Sequence, residues 1–139
     1  MKKIIYSPGE PSGIGPDLII QLCTSKFWVD IKLPIVCLAD PKLLIDRASK
    51  LGKKIKLLQI NDLDKIQKNK KNHIQVLCVT KCNNLKPGKL YKSNASYVLK
   101  NLDFAIENAL NDKNTAPVSY THLRAHETRG NLVCRLLLE

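Results

Sequence analysis

A ten-residue segment near the N-terminus, Ser7-Pro8-Gly9-Glu10-Pro11-Ser12-Gly13-Ile14-Gly15-Pro16, has residue types that suit contact with a small molecule. We call residues 7–16 the glycine–proline segment. Its glycines and prolines fix a backbone path and leave little side-chain bulk, so a ligand can approach the main chain. Glu10 is its only ionisable side chain. The spacing of Gly9, Gly13 and Gly15 fits neither G-x-G-x-x-G nor G-x-x-x-x-G-K. The pattern therefore leaves two interpretations open, a structural strand-to-helix turn and a loop beside a ligand.

Few other residues have types and spacing that indicate catalysis or metal binding. Asn94 precedes a predicted helix, where its amide either caps the helix or faces a cleft. His73 follows a lysine-rich run and is predicted to lie at the surface. The five cysteines are an odd number and are predicted to be free thiols in a reducing compartment. Cys78 and Cys82 have no second pair with which to form a zinc site.

The C-terminal segment differs in composition from the rest of the chain. Residues 1–116 hold all the lysines and a single arginine, whereas residues 117–139 hold three arginines and no lysine. Residues 118–128 match the translation of one reading frame of a transposase-type sequencing adapter, and residues 132–139 match the flow-cell end of the same adapter. We therefore predict that residues 117–139 are a non-native, adapter-derived tail. His122 and His126 have a spacing that could bind metal on a helix, but within this tail we predict that they are not ligands.

The overall composition predicts a globular domain. Hydrophobic residues make up 44% of the chain, and no apolar run approaches the roughly 18–20 residues that a membrane span needs. The N-terminus lacks the pattern of a secretory signal. The net charge is +11, but the basic residues are mostly lysines scattered along the chain, and the densest run, 65–72, is typical of a solvated loop. We therefore expect neither a nucleic-acid nor a membrane partner.

Apolar runs alternate with amphipathic segments along residues 1–116. Strands are predicted at 3–6, 33–39, 55–60 and 74–79, and another opens at Thr115-Ala116. Helices are predicted to start at Pro16, after the Asp40-Pro41 cap and after a cap at Ser93 or Asn94, and Gly52 is predicted to end the second of them. An extended connection at 85–92 contains a Pro87-Gly88 turn. Their predicted buried faces are Leu18, Ile19, Leu22 and Cys23; Leu43, Leu44, Ala48 and Leu51; and Val98, Leu99, Leu102, Ala105, Ile106, Ala109 and Leu110. This alternation predicts an α/β fold with a mostly parallel sheet.

Several strings along residues 1–116 resemble one known family in their order and spacing. They are Pro8 to Asp17, Ala39-Asp40-Pro41 with Leu43-Leu44, Arg47-Ala48, Leu51-Gly52, Pro87-Gly88-Lys89-Leu90 and Asn94 to Leu99. In these strings the chain resembles the N-terminal third of the 4-hydroxythreonine-4-phosphate dehydrogenases, the PdxA family of vitamin B6 synthesis.

The resemblance implies a three-layer α/β/α fold similar to the isocitrate and isopropylmalate dehydrogenases, truncated after roughly its first third. It implies oxidation of 4-phosphooxy-threonine by NAD or NADP, followed by decarboxylation to 3-amino-2-oxopropyl phosphate. It also implies a divalent metal ion (Zn, Mg or Co), a homodimer and a cytoplasmic location. The family's metal-binding and phosphate-contacting residues lie beyond Ala116, so we expect the chain as written to be inactive.

The resemblance leaves five candidates for the side of an active site: Gly9, Glu10, Gly13, Gly15 and Asn94. Two other functions stay open. One is a paralogous dehydrogenase that acts on another phosphorylated hydroxy acid, such as a four-carbon sugar acid phosphate. The other, more distant, is a small basic nucleic-acid-binding module, for which salt-sensitive retention on nucleic acid would be the sign.

Overall fold

The structure is a computed structural model that describes residues 2–81 and 94–119. It contains five strands, which are β1 (Lys3–Ser7), β2 (Ile35–Leu38), β3 (Lys56–Gln59), β4 (His73–Leu77) and β5 (Thr115–Ser119). It contains three α-helices, which are α1 (Gly15–Cys23), α2 (Pro41–Lys50) and α3 (Ala95–Asn111). Short 3-10 turns lie at Trp28–Asp30 and Leu63–Lys65. The predicted strands and helices of this part of the chain are present, with ends that differ by a few residues.

The strands form one sheet in the order β3-β4-β2-β1-β5, and every pairing is parallel. β1 lies between β2 and β5, with Tyr6 opposite Cys37 on one side and Val118 on the other. Parallel strands buried on both faces read as near-continuous apolar runs, which is why β2 and β4 were recognisable in the sequence. Because the strands are parallel, all their carboxyl ends lie at one edge of the sheet.

Helices cover both faces of the sheet. α1 and α2 pack on one face, where Ile20 and Leu44 join Tyr6 and Cys37 in a buried cluster. α3 packs on the other face, where Ala105 joins Ile5 of β1 and Val36 and Leu38 of β2 in a second cluster. This arrangement confirms the predicted three-layer α/β/α fold.

Local sequence chemistry explains where α2 begins and ends. The Asp40 carboxylate accepts a hydrogen bond from the Lys42 N–H at 3.0 Å, and Pro41 occupies the first turn, where its missing N–H is not needed. Gly52 follows the last turn with φ of +70°, a left-handed conformation that glycine adopts without strain. The sequence predicted all three of these features.

Two of the predicted helix faces are partly wrong. On α1 the buried residues include Ile19, Ile20 and Cys23, whereas Leu18 is 41% exposed. On α3 the buried face includes Tyr97 and Asn101, whereas Leu110 is 68% exposed. Apolar residues occur on more than one side of each helix, so periodicity could not fix which side packs on the sheet. None of the described helices is both long and apolar enough to cross a membrane.

Some sequence predictions fall partly or wholly outside the described residues. The Pro87-Gly88 turn lies outside them, as do His122, His126 and the rest of 120–139. Residues 117–119, which we assign to the predicted tail, form the second half of β5 and pair with β1. The division of the chain between residues 116 and 117 stays a prediction.

Candidate functional site

The glycine–proline segment lies at the carboxyl edge of the sheet. β1 ends at Ser7, and the segment leads directly from it into α1 at Gly15. Asp40 follows β2 and Cys78 follows β4 at the same edge. Open α/β sheets bind ligands outside the carboxyl ends of their strands, above all where the chain connections change direction. β1 is such a strand, because the chain leads from it to β2 on one side and later returns to β5 on its other side.

Backbone geometry requires glycine at two positions of this segment. Gly9 has φ of +80°, which L-residues with side chains rarely adopt. A Cβ on Gly15 would lie 1.8 Å from the carbonyl oxygen of Pro8, so no larger residue fits there. Gly13 donates its N–H to the carbonyl of Glu10 at 3.0 Å and closes a turn. The Tyr6 hydroxyl donates a hydrogen bond to the Gly15 carbonyl at 2.8 Å, which ties the start of α1 to β1.

Arg47 of α2 holds the middle of the glycine–proline segment. Its Nη1 donates to the Gly13 carbonyl at 2.8 Å and to the Asp17 carboxylate at 2.9 Å, and its Nη2 donates to the Pro11 carbonyl. The Arg47 side chain is only 6% exposed, so these bonds form largely out of water. Sequence patterns pointed to Arg47 only as part of a matching string. The signal that could have singled it out is that Arg47 is the single arginine among residues 1–116.

Asn94 is fully buried at the start of α3, and its side chain makes no capping hydrogen bond to the helix. Asn94 therefore occupies the N-cap position of α3, which the sequence predicted, but its amide does not cap the helix. Nearby in the sequence, Tyr97 accepts a hydrogen bond from the backbone N–H of Asp40 at 3.1 Å. This contact ties the first turn of α3 to the end of β2, so α3 also begins at the carboxyl edge.

Two polar side chains on the α3 side of the sheet are buried without a hydrogen-bond partner in the part of the chain that the structure describes. They are Ser7 and Asn101, each 1% exposed. Ile5 and Ala105 share one cluster on this face. Ser7 is two residues beyond Ile5 on β1, and Asn101 is four residues before Ala105 on α3. Each step moves about 6–7 Å toward the carboxyl edge, so Ser7 and Asn101 lie at about the same level. Sequence periodicity gave no sign of this pair.

The cysteines of the described ranges are not activated for nucleophilic chemistry. Cys23, Cys37 and Cys78 are free thiols. Burial raises the pKa of Cys23 to about 11, and burial together with Cys23 raises the pKa of Cys37 further. At the carboxyl edge, burial and then the Asp40 carboxylate raise the pKa of Cys78, while Lys81 opposes the shift. Each thiol therefore stays protonated near neutral pH.

The other candidate groups do not complete a catalytic set. His73 lies at the opposite edge, at the start of β4, where its Nδ1 is 2.8 Å from the Lys71 carbonyl oxygen. Within residues 2–81 and 94–119, no group of three or more His, Cys, Asp or Glu side chains could hold a metal ion. The described residues therefore do not fit a resident metal. The candidate residues Gly9, Glu10, Gly13, Gly15 and Asn94 all lie at the carboxyl edge of the sheet.

Comparison with known sequences finds relatives of this chain. No protein-family model matches the chain. The 4-hydroxythreonine-4-phosphate dehydrogenase of Yersinia pseudotuberculosis (serotype O:1b, strain IP 31758) is 33% identical over 117 residues, and that of Serratia proteamaculans (strain 568) is 32% identical over 117 residues. These alignments cover 84% of this chain and 34% of each relative. The chain therefore spans about a third of the length of the curated relatives it matches.

Solved structures show the same fold. A 4-hydroxythreonine-4-phosphate dehydrogenase from Burkholderia phymatum matches with a TM-score of 0.73 at 17% identity, covering 86% of this chain and 36% of that one. The Klebsiella pneumoniae enzyme of the same name matches with a TM-score of 0.73 at 18% identity, covering 86% of this chain and 37% of that one. The predicted resemblance is confirmed: the chain is homologous to 4-hydroxythreonine-4-phosphate dehydrogenases over most of its length.

Proposed function

Starting from this homology, we propose that the whole protein is an NAD- or NADP-dependent dehydrogenase that oxidises 4-phosphooxy-threonine. The oxidised product would lose CO2 to give 3-amino-2-oxopropyl phosphate, a step in pyridoxal phosphate synthesis. The single observation that carries the proposal is the match to enzymes of this name over 84% of the chain. A divalent metal ion, a homodimeric assembly and a cytoplasmic location belong to the same proposal.

The geometry of the carboxyl edge supports a binding role for this chain. The glycine–proline segment follows the strand at which the sheet extends to both sides, where α/β proteins of this kind bind ligands. Gly13 is half-buried and Ile14 is exposed, so the segment is open to a small molecule at these two residues, whereas Gly9 and Gly15 are buried. We propose that the segment forms one wall of the active site, and that residues outside this chain supply the metal ligands and the phosphate contacts.

The test is an activity measurement on the whole protein. The complete reading frame is recovered from the source DNA and expressed, and NADH or NADPH formation is followed with 4-phosphooxy-threonine and added Mg²⁺ or Zn²⁺. We expect turnover by the whole protein and none by the 139-residue chain. Absence of turnover by the whole protein with every metal and either dinucleotide would refute the proposed function. Turnover by the 139-residue chain would refute the assignment of the reacting groups to residues outside it.

The alternative substrate is tested in the same assay. A four-carbon sugar acid phosphate shares the phosphate and the hydroxy acid with 4-phosphooxy-threonine, and the residues described here do not discriminate between them. We expect a higher kcat/KM for 4-phosphooxy-threonine, because the relatives found by sequence carry its dehydrogenase name. The opposite ranking would favour the paralogous dehydrogenase.

A further inference from the structure

We infer that Arg47 is a positioning residue of this site: it fixes the direction in which the peptide groups of the glycine–proline segment face a ligand. The inference rests on the proposed function only where it concerns the effect of Arg47 on catalysis. The effect on the segment itself can be measured without any activity. Arg47 is on α2, so one helix would set the shape of the loop that precedes another helix.

The contacts of Arg47 match the shape of a guanidinium group. The planar fork carries donors in fixed directions, and here it meets two backbone carbonyls of the segment and one carboxylate at the start of α1. A lysine ammonium is a compact charge on a flexible stem and cannot hold these acceptors in one plane. Because the guanidinium donor is charged, these largely buried bonds are of the stronger kind of hydrogen bond in proteins.

These contacts also determine where the N–H groups of the segment point. No described peptide bond is cis, and in a trans peptide the C=O and N–H groups point in opposite directions. Since the carbonyls of Pro11 and Gly13 face Arg47, the N–H groups of Ser12 and Ile14 face away from it. Neither N–H has a hydrogen-bond acceptor in the described part of the chain. Arg47 therefore orients two free donors at the carboxyl edge.

The first experiment follows amide hydrogen exchange in the 139-residue chain. Arg47→Lys keeps the charge, Arg47→Met removes it, and Lys50→Met is a control on an exposed position of the same helix. The reporter is the Gly13 amide, which is bonded to Glu10. We expect its exchange to be about 10- to 100-fold faster in both Arg47 variants, with a smaller change in the amides of β2. The Lys50→Met variant should exchange like the wild type.

Two results of this experiment would overturn the inference. One is an unchanged Gly13 amide in Arg47→Met. The other is acceleration of the Gly13 and β2 amides by the same factor, since that would mean general destabilisation and no local role.

The second experiment measures catalysis by the whole protein. We expect Arg47→Lys to lower kcat/KM by about tenfold or more at a temperature where the variant is as folded as the wild type by circular dichroism. In Arg47→Ala, added guanidinium should restore part of the activity, whereas the same concentration of ammonium should not. Unchanged kcat/KM in Arg47→Lys would overturn the inference. If the wild-type whole protein were inactive, the proposed function would fail, and the exchange experiment would still decide whether Arg47 orients the segment.

Discussion

Single atoms decide the shape of the glycine–proline segment. The missing Cβ of Gly15 lets the Pro8 carbonyl approach the start of α1, and the Tyr6 hydroxyl then bonds to the Gly15 carbonyl. Gly52 has a different reason to be glycine. It has a positive φ, but nothing lies within 4 Å of its would-be Cβ. A side chain at Gly15 would therefore clash with the backbone, whereas a side chain at Gly52 would only strain its own backbone conformation.

Replacing these glycines by alanine should have different effects. For Gly52→Ala we expect a loss of about 1–2 kcal/mol in the free energy of unfolding, the usual strain of an L-residue in the left-handed region. For Gly15→Ala we expect a loss above about 3 kcal/mol, because the backbone must move to relieve a 1.8 Å contact. Urea denaturation of both variants measures the difference. Equal losses would show that the close approach at Gly15 does not exist.

Asp112 is the residue whose ionisation should link stability to pH. Its carboxylate accepts hydrogen bonds from the Asn114 N–H at 2.9 Å and the Thr115 hydroxyl at 3.0 Å, and it lies 3.3 Å from the Lys3 ammonium. The Asn114 bond, then the Thr115 bond and then Lys3 lower its pKa below the ordinary value of 3.8. A lowered pKa means that the folded state favours the ionised form, so this contribution is present above about pH 4 and is lost as the pH falls through the folded pKa.

We therefore expect Asp112→Asn to lower the urea midpoint at pH 6 and to have less effect at pH 3. Asp46→Asn removes the same charge from an exposed position of α2 and is the control. Urea midpoints of the three proteins at both pH values are the measurement. A midpoint difference between Asp112→Asn and the wild type that is the same at pH 3 and pH 6 would contradict this account.

At the scale of an element, α3 carries a polar residue on its buried face. Asn101 is 1% exposed, and neither atom of its amide group has a partner in the described part of the chain. Asn69 shows the opposite case in the lysine-rich run, which is otherwise mostly exposed as predicted. Its side chain accepts from the Ile35 N–H at 3.1 Å and donates to the carbonyls of Ile31 and Leu33 at 3.2 and 3.0 Å. The half-buried amide of Asn69 is thus well satisfied, whereas the buried amide of Asn101 is unsatisfied.

Substitution by leucine should separate these two amides. Asn101→Leu should stabilise the chain by about 1 kcal/mol, because it removes an unsatisfied buried group of similar size. Asn69→Leu should destabilise it by about 2 kcal/mol or more, because it leaves an N–H and two carbonyls without partners. Thermal unfolding of both variants is the measurement. Destabilisation by Asn101→Leu would indicate that the Asn101 amide has a partner outside the described residues.

At the scale of the molecule, residues 2–81 and 94–119 leave one side of the sheet incompletely covered. A groove of about 330 Å³ lies beside α1 and β5, lined mainly by apolar residues that include Ile4, Leu18 and Val118. Leu18 is 41% and Val118 is 36% exposed. β5 is paired only with β1 among the described strands, and Pro117 within it lacks an N–H for further pairing. The proline makes β5 a poor template for strand addition. We therefore expect copies of the chain to associate through the apolar groove more readily than through the edge of β5.

We expect the 139-residue chain to self-associate through this groove. Leu18→Lys should raise the concentration at which the chain stays monomeric, because it places a charge on the exposed apolar surface without emptying the core. Gln21→Lys adds the same charge to another exposed position of α1 and is the control. Light scattering across a concentration series measures the effect. Equal improvement by both variants would mean that net charge, and not the groove, governs association.

The sequence by itself determined what depends on neighbours along the chain. Continuous apolar runs predicted buried parallel strands, the Asp40-Pro41 pair predicted the start of α2, and Gly52 predicted its end. The ordered strings around the glycine–proline segment predicted the relatives that comparison then found. Local propensity and binary patterning are encoded in short segments, so one sequence is enough to read them.

Only the tertiary structure decided the contacts between distant segments. Arg47 bonds to carbonyls 34 and 36 residues away, and no local pattern encodes that distance. Leu18 and Ile20 are both apolar, and packing on the sheet decided that Ile20 is buried and Leu18 is partly exposed. The same packing placed Asn101 in the interior. Residues with similar propensities differ in burial once the helices pack on the sheet, because burial depends on how each helix is oriented relative to the sheet and not on residue type alone.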